Sequence, residues 1–303
     1  MSSCFQLLHS KVVENIVMPE TKTIAVLGSG TMGNGIAHVC ARSGFNVLLY
    51  DIDQPALYRG LDTIRTNFAR EVAKEKLTQQ QADEARSRIT LTTKLEDLAP
   101  ASLAIEAATE RFEIKAAIFR DLDRILPADA ILATNTSSIS ITKIAAQTKR
   151  PEQVIGMHFF NPVPVMKLVE VIRGLQTSQA TFDTVHALSG QLGKTPVEVN
   201  DAAGFVSNRV LMPLINEAAF AVMEGVATAE AVDQVFVLGM AHPMGPLTLA
   251  DFIGLDVCAD IMRVLADGLG HPKYNPCPLL VRMVDAGWLG RKSGRGFYTY
   301  PAK

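Results

Sequence analysis

A glycine-rich turn between a short apolar run and a helical pattern constrains this fold more than any other feature. Residues 23–27 are apolar, and the sequence Gly-Ser-Gly-Thr-Met-Gly follows them at residues 28–33. Gly28 permits a tight turn, Gly30 lets the backbone approach a pyrophosphate, and Gly33 lets the helix pack closely on the strand. The start of the helix presents free N–H groups and partial positive charge to phosphates. The spacing therefore predicts the βαβ unit that binds a dinucleotide.

A second predicted strand, residues 46–50, leads into Asp51, at the distance from Gly28 where such units carry an acidic residue. A carboxylate here accepts hydrogen bonds from the ribose hydroxyls and repels a 2′-phosphate, so NAD is favoured over NADP. Asp51 could instead cap the following helix, although Asp53 is better placed for that role before Pro55. The predicted NAD contacts of this unit are Gly28, Ser29, Gly30, Thr31, Met32, Gly33 and Asp51.

Strand patterns and helical patterns alternate over roughly the first 200 residues, which is typical of βαβ units and a parallel sheet. The predicted strands are residues 23–27, 46–50, 89–91, 103–106, 131–134, 154–159, 168–172 and 197–199. The predicted helices start near Thr31, Pro55, Thr78, Glu113, Thr142 and Thr181.

The pattern changes at the polar, glycine-containing segment 200–204, which is the predicted domain boundary. Helices are predicted after it, with one short strand near the end of the chain; the helices cover residues 205–223, 228–236, 255–269 and 279–285, and the strand covers 296–300. We therefore predict an α/β fold: a Rossmann-type, doubly wound and mostly parallel sheet in residues 21–203, then a smaller all-helical domain in residues 204–303. Residues 1–20 are predicted to be an N-terminal extension outside both domains.

Composition argues against several classes of protein. Lys and Arg number 29 against 31 Asp and Glu, so the chain has no strong global attraction for nucleic acid. No apolar run is long enough for a membrane span, and the first 20 residues lack the features of a targeting segment. The cysteines form no close pair, which predicts no metal site and reduced thiols in a cytoplasmic protein; they are Cys4, Cys40, Cys258 and Cys277.

Glu170 stands inside an apolar predicted strand, where an ionised carboxylate is costly unless it is paired. His158 lies in the preceding predicted strand, and the proline-containing segment 159–167 between them can reverse the chain. Two antiparallel neighbours would then bring His158 and Glu170 together. A carboxylate beside an imidazole orients the ring and increases its basicity, as a general base requires. A purely structural pair is the alternative interpretation.

Two further polar residues are candidates for binding a substrate oxygen. Ser137 follows the predicted strand 131–134, and parallel sheets bind ligands beyond the carboxyl ends of their strands. Its hydroxyl could equally cap the next helix. Asn208 is placed one turn into the first helix of the second domain, facing the cleft between domains, unless it serves only packing or capping. The remaining histidines are predicted to be structural or solvated: His9, His38, His186, His242 and His271.

Seven segments together resemble the short-chain L-3-hydroxyacyl-CoA dehydrogenase family, in particular its bacterial 3-hydroxybutyryl-CoA dehydrogenases. They are VLGSGTMGNGIA, EAATERFEIK, ATNTSSISI, GMHFFNPVPVMKLVEVI, DAAGFVSNRVLMPLINEA, GMAHPMGPLTLADFIGLD and GRKSGRGFY. The resemblance extends over about residues 20–300, and the HFFNP segment with the downstream glutamate is far more specific than the glycine motif.

The resemblance implies a role for each candidate. His158 is similar to the family's general base and Glu170 to its acidic partner, while Ser137 and Asn208 are similar to the groups that hold the C3 oxygen of the substrate. The resemblance also implies a homodimer formed through the helical domain. The implied NAD contacts beyond the glycine loop are Asp51, Glu110, Lys115, Ser137, Asn161 and Lys292.

One departure concerns the CoA portion of the substrate. Some members bind it through a serine and a lysine on the long helix after the second strand, and this chain has no clear counterpart of that serine. Positive charge on or beside this helix makes phosphate contacts plausible without assigning them, and a solvated helix face is the alternative. The basic residues are Arg65, Arg70, Lys74 and Lys76.

The implied reaction is the NAD-dependent interconversion of an L-3-hydroxyacyl-CoA, in particular 3-hydroxybutyryl-CoA, and its 3-ketoacyl-CoA. A related dehydrogenase of a free 3-hydroxy acid or sugar acid, such as L-gulonate, is the first alternative. A β-hydroxyacid dehydrogenase would need a catalytic lysine on the helix between domains, where the sequence GFVSNRVLMPL has none. A non-catalytic NAD-binding protein is disfavoured by the full set of candidate residues. The acyl-chain length and the physiological direction are left open.

Overall fold

A computed structural model of the chain describes residues 23–301, so the predicted N-terminal extension lies outside the described residues. Within residues 23–301 a single eight-stranded sheet has the order β3-β2-β1-β4-β5-β6-β7-β8. The strands are β1 Thr23–Leu27, β2 Asn46–Tyr50, β3 Ile89–Thr92, β4 Leu103–Glu106, β5 Ile131–Thr134, β6 Val154–Phe159, β7 Leu168–Arg173 and β8 Thr195–Asn200.

The sheet is parallel except where β6 and β7 pair. Helices cover both faces, and every residue of the central strands β4 and β5 is buried, which fits their nearly continuous apolar sequences. The antiparallel pair arises because the proline-containing segment after β6 reverses the chain without a crossover helix. The carboxyl end of β6 therefore lies beside the amino end of β7.

The helices of the first part of the chain are α1 Thr31–Arg42, α2 Gln54–Ala73, α3 Gln79–Ser87, α4 Phe112–Ile125, α5 Ile141–Ala145 and α6 Gln179–Gln191. Those that follow β8 are α7 Ser207–Met223, α8 Ala229–Gln234, α9 Pro246–Ile253, α10 Leu255–Leu269 and α11 Pro278–Asp285. They pack around a core of their own that is centred on α7 and α10. The predicted fold class, a mostly parallel sheet followed by a helical domain, is confirmed.

Three local predictions were wrong. The segment 296–300 makes only isolated bridges, because the carboxylate of Asp251 accepts the main-chain N–H groups of Phe297 and Tyr298 that a strand ladder would use. Helix α9 was missed because Pro246 reads as a helix breaker, whereas it occupies the first turn, where a proline is well tolerated. Helix α7 begins two residues later than predicted, because Phe205 has a left-handed backbone conformation with φ of 49°.

No helix within residues 23–301 is long and apolar enough to cross a membrane.

Candidate active site

His158 and Glu170 lie directly opposite each other on the antiparallel strands β6 and β7. Residues paired across two strands have side chains on the same face, and here both side chains are buried. The Nδ1 atom of His158 is 2.7 Å from Oε2 of Glu170. The predicted juxtaposition is therefore confirmed, and it follows from the register of the two strands.

The carboxylate of Glu170 has a second partner that the sequence did not reveal. Oε1 accepts a hydrogen bond from the main-chain N–H of Ser207 at 3.0 Å, and Oε2 accepts one from the Ser207 hydroxyl at 3.0 Å. Burial acts to raise the pKa of Glu170, but the hydrogen bonds from His158 and Ser207 outweigh it and hold the pKa below its usual value. Glu170 is thus an ionised carboxylate with several hydrogen-bond donors, and its side chain contacts the first residue of helix α7, where partial positive charge also favours an anion.

The Ser207→Ala substitution removes the hydroxyl donor and leaves the main-chain donor in place. A hydrogen bond to a buried charge contributes about 1.5–3 kcal/mol, so we expect the free energy of unfolding to fall by about 1–2 kcal/mol. Urea unfolding at pH 7 measures this effect, with Ser207→Thr as the matched variant that retains a hydroxyl. An unchanged urea midpoint in Ser207→Ala would show that the serine does not support Glu170.

The imidazole of His158 is held on three sides. The ring of Phe160 lies 4.7 Å from it between centroids, and the ring of Phe205 lies 5.9 Å away. Because Nδ1 faces the Glu170 carboxylate, it carries the proton of a neutral imidazole, which leaves Nε2 as the basic nitrogen. The arrangement can accept a proton at Nε2 and stabilise the resulting imidazolium.

Ser137 and Asn208, predicted in separate parts of the chain, meet in the structure. The side-chain amide of Asn208 donates to the main-chain carbonyl of Ser137 at 3.2 Å. Asn208 is the second residue of α7 rather than one turn into it, and it follows Ser207 directly. The first turn of α7 therefore contacts Glu170 through one residue and the loop after β5 through the next, which places all these groups in one site.

Glu110 orders the loop that carries Ser137. Its Oε1 atom accepts hydrogen bonds from the main-chain N–H of Ser137 at 2.8 Å and from the Ser137 hydroxyl at 3.1 Å. The same oxygen accepts from the hydroxyl of Thr136 at 2.6 Å and from Ser138. Burial acts to raise the pKa of Glu110, but Lys115 and these hydrogen bonds lower it below its usual value.

Lys115 connects this loop to the end of strand β4. Its ammonium is 2.8 Å from Oε1 of Glu106 and 3.3 Å from Oε2 of Glu110, and the residue is only 1% exposed. Thr134 at the end of β5 also donates to Glu106 at 2.7 Å. A buried carboxylate and ammonium are tolerated here because each has several partners.

The glycine loop leaves room for a dinucleotide in the way its sequence predicts. A Cβ on Gly28, whose φ is 94°, would lie 2.6 Å from the carbonyl oxygen of Ala107, and one on Gly33 would lie 1.7 Å from that of Gly28. A Cβ on Gly30 would meet no protein atom within 4 Å, so open space lies above the N-terminus of α1. These contacts fit a pyrophosphate at this loop.

Asp51 lies at the end of β2, beside the glycine loop. Its Oδ2 atom accepts hydrogen bonds from the main-chain N–H of Ser29 at 2.8 Å and from the Ser29 hydroxyl at 2.7 Å. The carboxylate is thereby held at the carboxyl edge of the sheet, where a bound adenosine ribose would lie.

Of the four other predicted cofactor contacts, two belong to the glycine loop and two lie apart from it in the fold. Thr31 and Met32 open helix α1, and Asn161 is an exposed residue of the segment between β6 and β7. Lys292 lies in the helical domain, where its ammonium pairs with Asp256 at 2.6 Å. Direct contacts of these residues with NAD remain predictions. No cluster of metal-ligating side chains occurs among the described residues.

One of the basic residues on or beside helix α2 that could contact CoA phosphates forms a local ion pair. Arg65 is 2.9 Å from Asp62, one turn away, and both side chains are largely exposed. An exposed pair of this kind is weak, so it would not prevent Arg65 from turning toward a phosphate. The assignment of phosphate contacts on α2 stays open.

The dinucleotide-binding sheet, its glycine loop and the buried histidine–carboxylate pair beside it define the class of protein as an NAD-dependent dehydrogenase. Residues 23–202 match the family model described as 3-hydroxyacyl-CoA dehydrogenase, NAD binding domain, and residues 204–300 match the C-terminal domain of the same family. The chain belongs to the 3-hydroxyacyl-CoA dehydrogenase family.

Curated relatives and solved structures agree on this family. The chain is 56% identical over 284 residues to the probable 3-hydroxybutyryl-CoA dehydrogenase of Bacillus subtilis, covering 94% of this chain and 99% of that one. It is 52% identical to the 3-hydroxybutyryl-CoA dehydrogenase of Bradyrhizobium diazoefficiens, covering 92% and 95%. The crystal structure of (S)-3-hydroxybutyryl-CoA dehydrogenase from Ralstonia eutropha matches with a TM-score of 0.91 and 50% identity, covering 93% of this chain and all of that one.

Proposed function

We propose that this protein interconverts L-3-hydroxyacyl-CoA and 3-ketoacyl-CoA with NAD, and that its substrate pair is 3-hydroxybutyryl-CoA and acetoacetyl-CoA. The observation that carries the chemistry is the buried pair of His158 and Glu170, in which Nδ1 is engaged and Nε2 is left for proton transfer. The substrate assignment is supported by relatives of more than half identity that bear the name of this activity.

His158 removes the proton of the C3 hydroxyl during oxidation and returns it, as imidazolium, during reduction. Histidine suits both directions, because an unperturbed imidazole has a pKa of about 6.5 and changes protonation near neutrality. Glu170 stabilises the imidazolium that forms, and Ser207 keeps that carboxylate in place and ionised. When bound, NAD supplies the acceptor for the hydride that leaves C3.

We propose that Ser137 and Asn208 bind the C3 oxygen and set the orientation of the substrate. Both belong to a network ordered by Glu110, so the oxygen site is held before the substrate arrives. Such preorganisation contributes because a misplacement of about 1 Å can cost about a hundredfold in rate. The proposed cofactor contacts are those predicted from the sequence: residues 28–33, Asp51, Glu110, Lys115, Ser137, Asn161 and Lys292.

The function is tested by following the oxidation of NADH with acetoacetyl-CoA. We expect turnover with this substrate, and a series from C4 to C16 3-ketoacyl-CoA defines the acyl-chain preference. Free acetoacetate and the oxidation of L-gulonate by NAD are assayed in parallel. Activity with the free acids and none with any CoA ester would favour the alternative dehydrogenase of free hydroxy acids.

The preference for NAD is tested with Asp51→Asn, which keeps the shape of the side chain and removes its charge. We expect the KM for NADH to rise about tenfold, because a hydrogen bond to a charged acceptor is weakened. The ratio of kcat/KM for NADH to kcat/KM for NADPH should fall by at least the same factor, since the charge that repels the 2′-phosphate is lost. Asp53→Asn, at a neighbouring exposed carboxylate, is the control. Equal effects of the two substitutions would contradict a specific role of Asp51.

We also propose that the chain divides into a dinucleotide domain up to residue 203 and a helical domain after it. We further propose that the protein is a cytoplasmic homodimer and that the helical domain forms the contact between subunits. Exposed apolar side chains on the helical part support a dimer surface, with Val210 at 63% and Leu238 at 82% exposure. Sedimentation at micromolar concentration should give twice the chain mass of 32.8 kDa. A species of a single chain mass would contradict the dimer.

A further inference from the structure

Lys194 lies in the turn between α6 and β8, against the connection that joins the two strands of the catalytic pair. This connection covers residues 160–167 between β6 and β7. The Lys194 side chain is buried at 7% exposure, and its ammonium donates to the carbonyl oxygens of Val163 and, at 2.8 Å, of Met166. The N–H of the following residue, Thr195, donates to the carbonyl of Lys167 at 2.7 Å.

The connection needs an outside partner for these carbonyls. Residues 162–166 form one tight turn, in which the Pro162 carbonyl accepts from the N–H groups of Val165 and Met166 at 2.9 Å each. The carbonyls that follow Pro162 in this turn, including those of Val163 and Met166, accept no hydrogen bond from a main-chain N–H within it. The side chains of Val165 and Met166 are exposed at 71% and 40%, so packing on that side does little to fix the turn. A buried ammonium supplies charged donors to both carbonyls, and charge-assisted hydrogen bonds are stronger than neutral ones.

The turn also packs on α1, the helix of the glycine loop. Val163 is buried, and a Cβ on Gly35 of α1 would lie 2.8 Å from the Cβ of Val163. Gly35 therefore lets the connection approach α1 closely. The connection is thus held by its packing on α1 and by the hydrogen bonds from Lys194.

We propose that Lys194 is a positioning residue for the dehydrogenase reaction, and that its ammonium acts by fixing the connection 160–167 and, through it, His158 at the end of β6. The proposal rests on the proposed function and adds a residue that never touches the substrate. Its expected effect lies on kcat, because the connection begins directly after the strand that carries His158, whereas all the proposed dinucleotide contacts except Asn161 lie outside it.

The charged surroundings of Lys194 come from two helices. Arg42 and Cys40 face it from α1, Glu71 faces it from α2, and the buried His38 lies beside Glu71. Burial, with Arg42, lowers the pKa of Lys194 to about 8, while Cys40 and Glu71 act in the opposite direction. Burial also raises the pKa of Cys40 to about 12, and Glu71 has a lowered pKa. Among Lys194, Cys40 and Glu71, the group that changes charge between pH 7 and 10 is therefore Lys194.

The first test compares Lys194→Met, which keeps most of the unbranched side chain and loses the charge, with Lys194→Arg, which keeps the charge on a somewhat longer side chain. Lys149→Met, at an exposed lysine, is the matched control. We expect kcat with acetoacetyl-CoA to fall about tenfold or more in Lys194→Met. The Kd for NADH should stay within about twofold, and Lys194→Arg should restore most of kcat. A folded Lys194→Met protein with the kcat of the control would overturn the proposal, as would equal losses in the Met and Arg variants.

The second test does not use Lys194→Met, so it can confirm or overturn the proposal even if that variant does not fold. The kcat for oxidation of 3-hydroxybutyryl-CoA by NAD, the direction in which His158 acts as the free base, is measured for the wild type and for Lys194→Arg from pH 7 to 10. The wild type should lose activity above about pH 8 as its ammonium is deprotonated, whereas the arginine stays charged and should displace this limb by at least about one pH unit. Coinciding alkaline limbs would overturn the proposal. Wild-type turnover is measured first, because its absence would count against the proposed function, whereas differences between active proteins test Lys194 alone.

Discussion

Replacing His158 by glutamine is expected to lower kcat for acetoacetyl-CoA reduction by about a thousandfold while NADH binding persists. General acid–base catalysis by a positioned side chain contributes about 10²–10⁴-fold, and no other described imidazole pairs with a buried carboxylate in this site. The Kd for NADH should stay within about twofold, because the glycine loop and Asp51 lie on other elements of the sheet. Steady-state kinetics and NADH fluorescence titration measure the two effects.

Glutamine suits this test because it fills a similar volume and its amide can still donate to Glu170. A loss of kcat in this variant can therefore be assigned to lost proton transfer rather than to unfolding. Urea unfolding of the variant checks that it is folded. His186→Gln, at an exposed histidine of helix α6, is the matched variant and should keep wild-type kcat. Near-wild-type turnover of His158→Gln would refute the role of this residue as general base.

The sheet could be predicted closely because each strand is a short apolar run bounded by polar or glycine residues. The predicted and observed bounds of β1, β2, β4, β5 and β6 coincide. The pairing of His158 with Glu170 was also predictable, since one reversal of the chain was enough to place them on adjacent strands. A carboxylate in an apolar strand indicates a buried partner even when the tertiary structure is unknown, because an unpaired buried charge is costly.

Other parts of the site depend on contacts between distant segments, which periodicity does not encode. Ser207 contacts Glu170 across 37 positions of the chain, and its residue type is common at the start of any helix. Glu110 collects donors from residues 136–138, some 26–28 positions away, although its neighbours read as an ordinary polar turn before α4. Lys194 likewise has no sequence signal, because a lysine after a glycine turn is usually solvated.

The structure also joins features that the sequence left separate. Ser207 and Asn208 are consecutive, and together they bring the helical domain onto both the catalytic carboxylate and the loop of Ser137. The beginning of α7 is therefore part of the active site and also part of the boundary between domains. A change in the placement of this helix would disturb Glu170 and the proposed oxygen-binding residues, Ser137 and Asn208, at the same time.

Replacing Glu170 by glutamine is expected to lower kcat by about a hundredfold and to move the pH profile of alcohol oxidation toward acid. The amide has the same shape but no charge, so the imidazolium of His158 loses its stabilising partner and gives up its proton more readily. The acid limb, which reports the proton on the base, should therefore appear at lower pH than in the wild type. Rates of 3-hydroxybutyryl-CoA oxidation between pH 5 and 9 measure both changes.

The stability of the same variant separates catalysis from structure. The pKa of Glu170 is lowered in the folded state, so its carboxylate stabilises the fold above the ordinary glutamate pKa, and this contribution is lost as pH falls through the lowered value. Glu170→Gln should therefore be less stable than the wild type at pH 7, and the difference should shrink as pH falls below the ordinary glutamate pKa of 4.5. A variant with reduced kcat but an unchanged pH profile would leave Glu170 as a structural support for His158, because only a carboxylate that stabilises the imidazolium moves the acid limb.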